Sequence, residues 1–261
     1  WKYGEQGLFT FTFSFTRTAT FLLFHSILYL TAAFFPDFNS SCKLERSSAE
    51  KLRASQIWNL ISSLFLSNLF VSPIGAFFCW DICHRLSWMH LPSCVSSLPS
   101  MAHILYLTIG AQMIREWSFY WCHRLFHHPR LYARYHKQHH EFPGVVGPAA
   151  EYASAIDSIA ANFIPSAVIP MFFGVHPSLQ ITWLILKNTK SYEQHCGYVL
   201  NDTWLGWVGI ATAEGAFHDH HHTTNRGNFG AEYLDWLFGT MDFWLRDGSS
   251  AAYRDRRKTF R

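Results

Sequence analysis

Three apolar runs, each long enough to cross a lipid bilayer as a helix, occupy the first half of the chain. They cover residues 18–35, 57–80 and 101–121. The first ends before Pro36 and would be about 27 Å long as a helix, close to the thickness of a hydrocarbon core. Each run alone would also suit a buried helix of a soluble bundle. Because three precede any polar lobe, we predict an all-α integral membrane helical bundle with about three spans.

The composition agrees with apolar spans joined to polar lobes. Charged residues make up 15% of the chain, against about 25% in an ordinary soluble domain. A net charge of +3 gives no basis for nucleic-acid binding. The six cysteines form no CxxC pair, so we interpret them as reduced thiols rather than as disulfides or zinc ligands.

The charges of the connecting segments predict the orientation. Residues 36–56 contain Lys43, Arg46, Lys51 and Arg53. Residues 81–100 contain only one such cation, Arg85. By the positive-inside rule the first connection is cytoplasmic, and the third span then delivers residues 123–140 to the cytosol.

A fourth apolar region, residues 159–186, is interrupted by prolines and a glycine. Its 28 residues are too few for two full spans, which need about 40. A single span would separate residues 187–222 from residues 123–140 by the whole membrane. If histidines before and after this region share one site, it must be a re-entrant hairpin that enters and leaves on one face.

Histidines recur downstream of the third span at helical spacing. His123 and His127 are four residues apart, so on a helix they project from one face. Offsets of three and four residues relate His136, His139 and His140, and they recur in His218, His221 and His222. His195 stands alone in the sequence EQHCGY.

These clusters predict a histidine-rich dimetal site carried by a cytosolic helical cap. Imidazole is the commonest protein metal ligand, and one ion takes four to six ligands. A solvated polar surface is the alternative interpretation of any single cluster. Nine imidazoles suit two ions, and the predicted ligands are His123, His127, His136, His139, His140, His195, His218, His221 and His222.

Other polar residues are candidates to surround the ligands. His128 and His220 are out of register with the clusters, so they are surface residues or neighbours of the ligands. Four acids are candidates to accept imidazole N–H groups, or they are ordinary surface acids. These acids are Glu151, Asp157, Glu193 and Asp219.

The segments that carry the histidines resemble a known family. HRLFHH, HKQHHEF, AEYA, EQHCGY and HDHHHTTNRGNFG are similar to the fatty acid hydroxylase superfamily of membrane di-iron proteins, which includes sterol desaturases. The similarity runs from residue 117 to 242, and GVHP and HCGY look most like the C-4 methylsterol oxidase and cholesterol 25-hydroxylase branch. Ser154 and Ala155 depart from the AEYAHP pattern of the methylsterol oxidases.

The resemblance implies an enzyme and assigns the nine histidines as ligands of two Fe ions, which Zn could replace in purified protein. The implied reaction is O2-dependent hydroxylation or oxidation of an unactivated C–H bond in a lipid, with a sterol favoured. Electrons would come from an external donor, cytochrome b5 or an NAD(P)H reductase. The implied location is the endoplasmic reticulum membrane, with the active site facing the cytosol.

The same resemblance divides the chain into three parts and leaves alternatives open. We expect membrane-spanning helices in residues 1–116, a catalytic domain in 117–245 that includes the hairpin, and a basic tail in 246–261. One alternative is a fatty acyl or alkyl-lipid hydroxylase or desaturase of the same fold. Others are a non-redox zinc-binding membrane protein and a binding protein with an inactive metal fold.

Overall fold

The computed structural model describes most of the chain. The described residues are 2–44, 53–86, 100–142, 147–168, 177–201, 203–207, 211–212, 214–249 and 251. Four parts of the sequence predictions therefore lie outside them: residues 45–52 of the first connection, which include Arg46 and Lys51, most of the connection after the second span, the tip of the predicted hairpin, and most of the basic tail.

The described residues form helices, as predicted. The α-helices are α1 (Lys2–Phe34), α2 (Pro36–Cys42), α3 (Ala54–Leu66), α4 (Ser72–Arg85), α5 (Met101–Phe126), α6 (Pro129–Leu131), α7 (Ala155–Asp157), α8 (Pro177–His195), α9 (Trp204–Trp207), α10 (Glu214–Thr224), α11 (Glu232–Leu237) and α12 (Asp242–Arg246). The π-helical segments are Ser67–Val71, Tyr132–His136 and Ser158–Val168, and the 3-10 turns are His139–Glu141 and Gly147–Glu151. Within this part of the chain the extended backbone amounts to one isolated bridge, Lys43 with Tyr198.

Two of the described helices are long and apolar enough to cross a membrane: Gly4–Phe34 and the continuous stretch Ala54–Ile82. Only 17% of each apolar window is buried, so large side chains such as Leu23 and Ile27 remain exposed. Side chains of this kind are stable against lipid rather than against water. The chain is therefore a membrane protein.

The first span begins earlier than the apolar run indicated. Helix α1 covers 33 residues and starts at Lys2, and residues 2–17 contain no proline that would end it. The third run lies in helix α5, as predicted. It is not one of the two segments that pass as membrane spans, so a total of three spans stays a prediction.

The two legs of the predicted hairpin pack on different helices of the bundle. The π-helical segment Ser158–Val168 contacts α5, whereas α8 contacts α1 and α10. The C-terminal end of α8 then places His195 beside His139, with 3.3 Å between the two Nε2 atoms. Histidines before and after residues 159–186 therefore lie close together, which is the condition under which a re-entrant hairpin was predicted.

Helix α10 is buried although its sequence is polar. All residues from Gly215 to His222 are buried, and Phe217 packs with Val199 and Trp244 in a small apolar core. A second apolar cluster joins Tyr120 of α5 to Phe229 and Leu234. The second core holds the segment that follows α10 against α5, and the rings of His123 and His221 lie 4.6 Å apart between centroids.

Candidate metal centre

All nine predicted histidines converge, and they form two groups. Within each group one side-chain nitrogen per residue lies within 4.8 Å of the others. The five-histidine group contains His123, His127, His136, His140 and His221. The four-histidine group contains His139, His195, His218 and His222.

A sharp chain reversal after α5 builds most of the five-histidine group. His123 and His127 lie one turn apart at the end of α5. Pro129 starts the short helix α6, and the π-helical turn Tyr132–His136 brings His136 back to both rings, with 4.7 Å between ring centroids in each pair. The wide π turn therefore sends the following histidines, 139 and 140, toward α10.

Most of the imidazoles are oriented by hydrogen bonds on their outer side. In each case Nδ1 faces an oxygen that can only accept, so Nδ1 carries the proton and Nε2 carries the lone pair. Four of these acceptors are backbone carbonyls. The pairs are His123 with Phe229 O at 2.6 Å, His221 with Gly227 O at 2.6 Å, His195 with Ser191 O at 2.8 Å, and His139 with Tyr152 O at 3.3 Å.

The Nε2 atoms of the rings oriented in this way point into the two groups. The Nε2 atoms of His123, His127 and His221 are buried without a partner. His195 and His139 place two unprotonated Nε2 atoms 3.3 Å apart. Unpaired buried acceptors cost about 1–3 kcal/mol each, and a cation bound between them removes this cost.

The donor set therefore fits metal ions. Nitrogen donors from imidazole suit iron, zinc, copper or nickel and disfavour magnesium or calcium, which prefer oxygen. Each group could hold one ion, since four or five ligands match the usual coordination numbers.

Burial keeps the histidines in the neutral form that binds metals. Desolvation by burial lowers the pKa of His139 to about 4 and the pKa values of His195 and His221 to about 3. Neighbouring imidazoles lower them further, because a second positive charge nearby is unfavourable. At neutral pH these ligands need lose no proton before an ion binds.

Asp157, one of the four candidate acids, contacts an imidazole of the five-histidine group. The Asp157 carboxylate accepts a hydrogen bond from His136 Nδ1 at 2.8 Å, with both side chains almost fully buried. Ser154, the departure from the family pattern, caps the turn that carries Asp157. Its Oγ accepts from the Asp157 N–H at 3.2 Å and donates to Tyr135 O at 2.6 Å.

The other three acids have different surroundings. Glu151 accepts from Arg17, Asn68 and Tyr192, so it lies in a network between the spans and α8. Glu193 accepts from Lys190 and from the Thr212 N–H. Asp219 is buried on α10, where its charge acts on the Cys196 thiol.

The two histidines out of register stay out of the groups. His128 is exposed and accepts from the Arg130 N–H at 3.3 Å. His220 is buried on the opposite side of α10, where Nε2 contacts Asp247 at 2.9 Å and the ring packs on Trp244.

The loop of residues 225–230 was not assigned a role from the sequence. It supplies the carbonyls of Gly227 and Phe229 that orient His221 and His123. Asp235, fully buried, holds the loop by accepting from the N–H groups of Phe229 and Gly230, both at 2.8 Å. The asparagines and glycines of NRGNFG were the available signal, since Asn225, Gly227 and Asn228 have positive φ.

The family comparison covers this whole arrangement. A model of the fatty acid hydroxylase family matches residues 108–240, just over half of the chain, and this range contains all nine histidines. The chain belongs to the fatty acid hydroxylase family. No solved structure matches this family member significantly.

Several relatives of this hydroxylase-family chain have names that state an activity. Fatty acid hydroxylase domain-containing protein 2 of Macaca fascicularis is 30% identical over 78% of this chain and 58% of that protein. Methylsterol monooxygenase 2-2 of Arabidopsis thaliana is 33% identical over 55% of each chain. A cholesterol 25-hydroxylase-like protein of Danio rerio is 28% identical over 72% of this chain and 74% of its own length. The chain thus spans less than two thirds of the first of these relatives.

Proposed function

We propose that this chain is an O2-dependent di-iron oxidoreductase that hydroxylates or oxidises an unactivated C–H bond of a lipid, with a sterol as the favoured substrate. The observation that carries the proposal is the pair of buried groups in which neutral imidazoles direct their lone pairs inward. Relatives named methylsterol monooxygenase and cholesterol 25-hydroxylase-like protein support the sterol.

The two histidine groups would each hold one iron ion. When bound, the iron pair supplies O2 activation and oxidation of a C–H bond, chemistry that protein side chains lack. Zinc binds nitrogen sites more tightly than ferrous iron does, so zinc in purified protein is compatible with an iron enzyme. We propose that residues 117–245 form the catalytic domain, that residues 1–116 anchor it, and that residues 246–261 form a basic tail.

The chain's own groups prepare the site for these ions. Burial holds His139, His195 and His221 neutral. Outer carbonyl acceptors fix rings such as those of His123 and His195 with Nε2 inward. Asp157 holds the proton on His136 Nδ1 and offsets part of the positive charge that two ions bring into a dry interior. His123 and His221 are 1% and 0% exposed, so this side of the site is shielded from water.

We further propose that electrons come from cytochrome b5 or an NAD(P)H reductase, because the sequence contains no haem or flavin motif. The distribution of lysine and arginine between the connections supports a cytosolic location of the site. A soluble donor domain would then reach it from the cytosol at the endoplasmic reticulum membrane.

Incubation with 18O2 tests the proposal. Iron-loaded protein in lipid nanodiscs, with cytochrome b5, its reductase and NADPH, is given either a 4-methylsterol or a long-chain fatty acyl lipid. We expect one 18O atom in the sterol product by mass spectrometry, and loss of at least 99% of the product in His139→Ala and in His221→Ala.

His128→Ala is the matched control, because His128 is exposed and lies outside both groups; it should retain activity. Product from the acyl lipid alone would show that the substrate is a fatty acyl lipid rather than a sterol. A relative named fatty acid hydroxylase in Mycosarcoma maydis, 27% identical over 80% of this chain and 50% of its own length, represents that alternative. Zinc-dependent hydrolysis without O2, or full activity of both histidine variants, would overturn the proposal.

A further inference from the structure

A cavity of about 460 Å³ lies between the spans and the two legs of the hairpin. Phe13 of α1, Phe70 and Phe78 of the second span, and Phe163 of the π-helical leg line it. A volume in this range holds one small amphiphile. Since its wall is mainly apolar, most of the occupant must be apolar as well.

This cavity is separate from the metal centre. None of the nine histidines lines it. Ser191 does line it, and the Ser191 carbonyl accepts from Nδ1 of His195, whose Nε2 points the other way, toward His139 and His218. The cavity thus lies behind the four-histidine group, on the side away from the lone pairs.

The cavity is bordered by the apolar outer surface of the molecule. Phe70, Ile74 and Phe78 on the second span, and Ile159 on the hairpin leg, line it while remaining 46–58% exposed. These side chains face the region where lipid surrounds the spans. A hydrocarbon chain can therefore enter sideways from the bilayer.

The opposite part of the wall carries charge. Arg17 pairs with Glu151 at 3.0 Å, and the Tyr192 hydroxyl donates to the same carboxylate at 2.5 Å. Lys187 also lines the cavity and makes no ion pair with any residue that the structure describes. The charged residues that line the cavity are Arg17, Lys187 and the single carboxylate of Glu151, so a protonated Lys187 leaves this end with a net positive charge.

We propose that the cavity is a lipid-binding site for a single-chain amphiphile with an anionic head. The carboxylate or phosphate head contacts Lys187, which forms no ion pair with any residue in the described part of the chain. The hydrocarbon chain runs along the phenylalanines toward the exposed side of the second span. An anion at Lys187 complements the excess positive charge in a place where an unpaired cation is costly.

Photolabelling of the whole protein tests this site. A 16-carbon fatty acid with a photoreactive diazirine on its chain is bound to protein in detergent, and labelled peptides are mapped by mass spectrometry. We expect label on residues 67–78 and 158–166. Unlabelled hexadecanoic acid and hexadecyl phosphate should compete at least tenfold more strongly than hexadecanol, and the stronger of the two identifies the preferred head.

Variants at Lys187 assign the head contact. Lys187→Met should weaken competition by the acid at least tenfold and leave hexadecanol unchanged, while Lys187→Arg should retain the preference. Lys190→Met is the matched control, since Lys190 lies one turn on and pairs with Glu193 and Glu214 outside the cavity. Metal content and unfolding temperature show whether each variant is folded.

Label on other peptides, equal competition by acid and alcohol, or an unchanged preference in Lys187→Met would overturn the inference. These outcomes do not depend on the proposed oxidation, because binding is measured without O2 or reductant. Sterol oxidation with no binding of anionic lipid would remove this site alone.

Discussion

Two histidine–aspartate pairs in this chain have almost the same geometry and different surroundings. His136 contacts Asp157 at 2.8 Å, and His220 contacts Asp247 at 2.9 Å. The Asp157 side chain is 3% exposed and its histidine belongs to the five-histidine group, whereas the Asp247 side chain is 47% exposed. A carboxylate behind a ligand imidazole raises the basicity of the ring and fixes its tautomer.

Asp157→Asn should therefore lower metal affinity by about ten- to a hundredfold, the usual effect of losing such a carboxylate. The amide keeps the size of the side chain but removes its negative charge. Competition with a chelator of known affinity measures the change. Asp247→Asn is the control and should leave affinity within about twofold; equal losses in the two variants would contradict the role of Asp157.

The lowered histidine pKa values predict how the metal-free protein responds to pH. His139, at about 4, and His195 and His221, at about 3, bind protons less readily folded than unfolded, where the value is near 6.5. The unfolded state therefore holds more protons below pH 6.5, and stability falls as pH decreases through that value, by about 1.4 kcal/mol per pH unit for each extra proton. Above pH 6.5 this contribution is fully present.

Denaturant unfolding of chelator-treated protein at pH 7.5, 6.5 and 5.5 measures this dependence. We expect the free energy of unfolding to be similar at the first two values and lower at pH 5.5. His195→Gln removes one of the titrating groups and should reduce the difference. A free energy of unfolding that rises on acidification would show that the buried rings are not neutral in the fold.

Sequence spacing groups eight of the nine histidines, leaves His195 without such a partner, and does not give the hydrogen bonds of the rings. Offsets of three and four residues indicate a shared helical face, so spacing alone groups His218, His221 and His222. The contacts of Glu151 with Arg17 and Tyr192 join three distant segments, and no local pattern reports such a contact. For the same reason Asp157 could not be distinguished from the other acids.

At the scale of elements, the loop of residues 225–230 is the least predictable part of the candidate site. Its role depends on backbone conformation: Gly227 has φ +60°, and a Cβ there would lie 2.2 Å from Thr240 O. Sequence patterns mark such a loop as a turn but do not show which carbonyls face an imidazole. By contrast, the run of residues 57–80 was sufficient to place the second span, because apolarity over that length is itself the signal.

Gly227→Ala should destabilise the protein and lower its metal content. The added methyl group meets both a strained backbone and the Thr240 carbonyl, so the loop must move and the Gly227 carbonyl leaves His221. Gly239→Ala is the matched control. Gly239 has φ +65° but nothing within 4 Å of the added Cβ, so it should cost only the backbone strain of about 1–2 kcal/mol.

Thermal unfolding and metal analysis distinguish the two variants. We expect the larger decrease in unfolding temperature, and the only loss of metal, in Gly227→Ala. Equal effects of the two substitutions would show that the loop does not hold His221 in place.

At the scale of the whole molecule, the four-histidine group brings together two segments that the predicted hairpin separates in the sequence. Residues before and after the hairpin supply the four-histidine group, His139 from one side and His195 from the other. A shared site of this kind is the condition under which residues 159–186 were predicted to enter and leave on one membrane face. The hairpin tip, residues 169–176, lies outside the described residues, so its depth in the bilayer stays a prediction.

Cysteine labelling in sealed microsomes tests the predicted orientation. His128 and Thr223 are exposed and lie on opposite sides of the hairpin in the sequence. His128→Cys and Thr223→Cys should both react with a membrane-impermeant maleimide applied from the cytosolic side, above the background of the unmodified chain. Reaction of one only after the membrane is opened would contradict the single-face topology.

Peptide oxygens, rather than side chains, hold four of the nine rings in place. A scan that truncates every side chain to alanine would leave those four acceptors chemically intact and would report a site more tolerant than it is. Sensitivity should appear instead where a substitution bends the main chain, at glycines, at prolines and at the asparagines with positive φ. Loss of function in this molecule can thus arise at positions that donate nothing to a metal and touch no lipid.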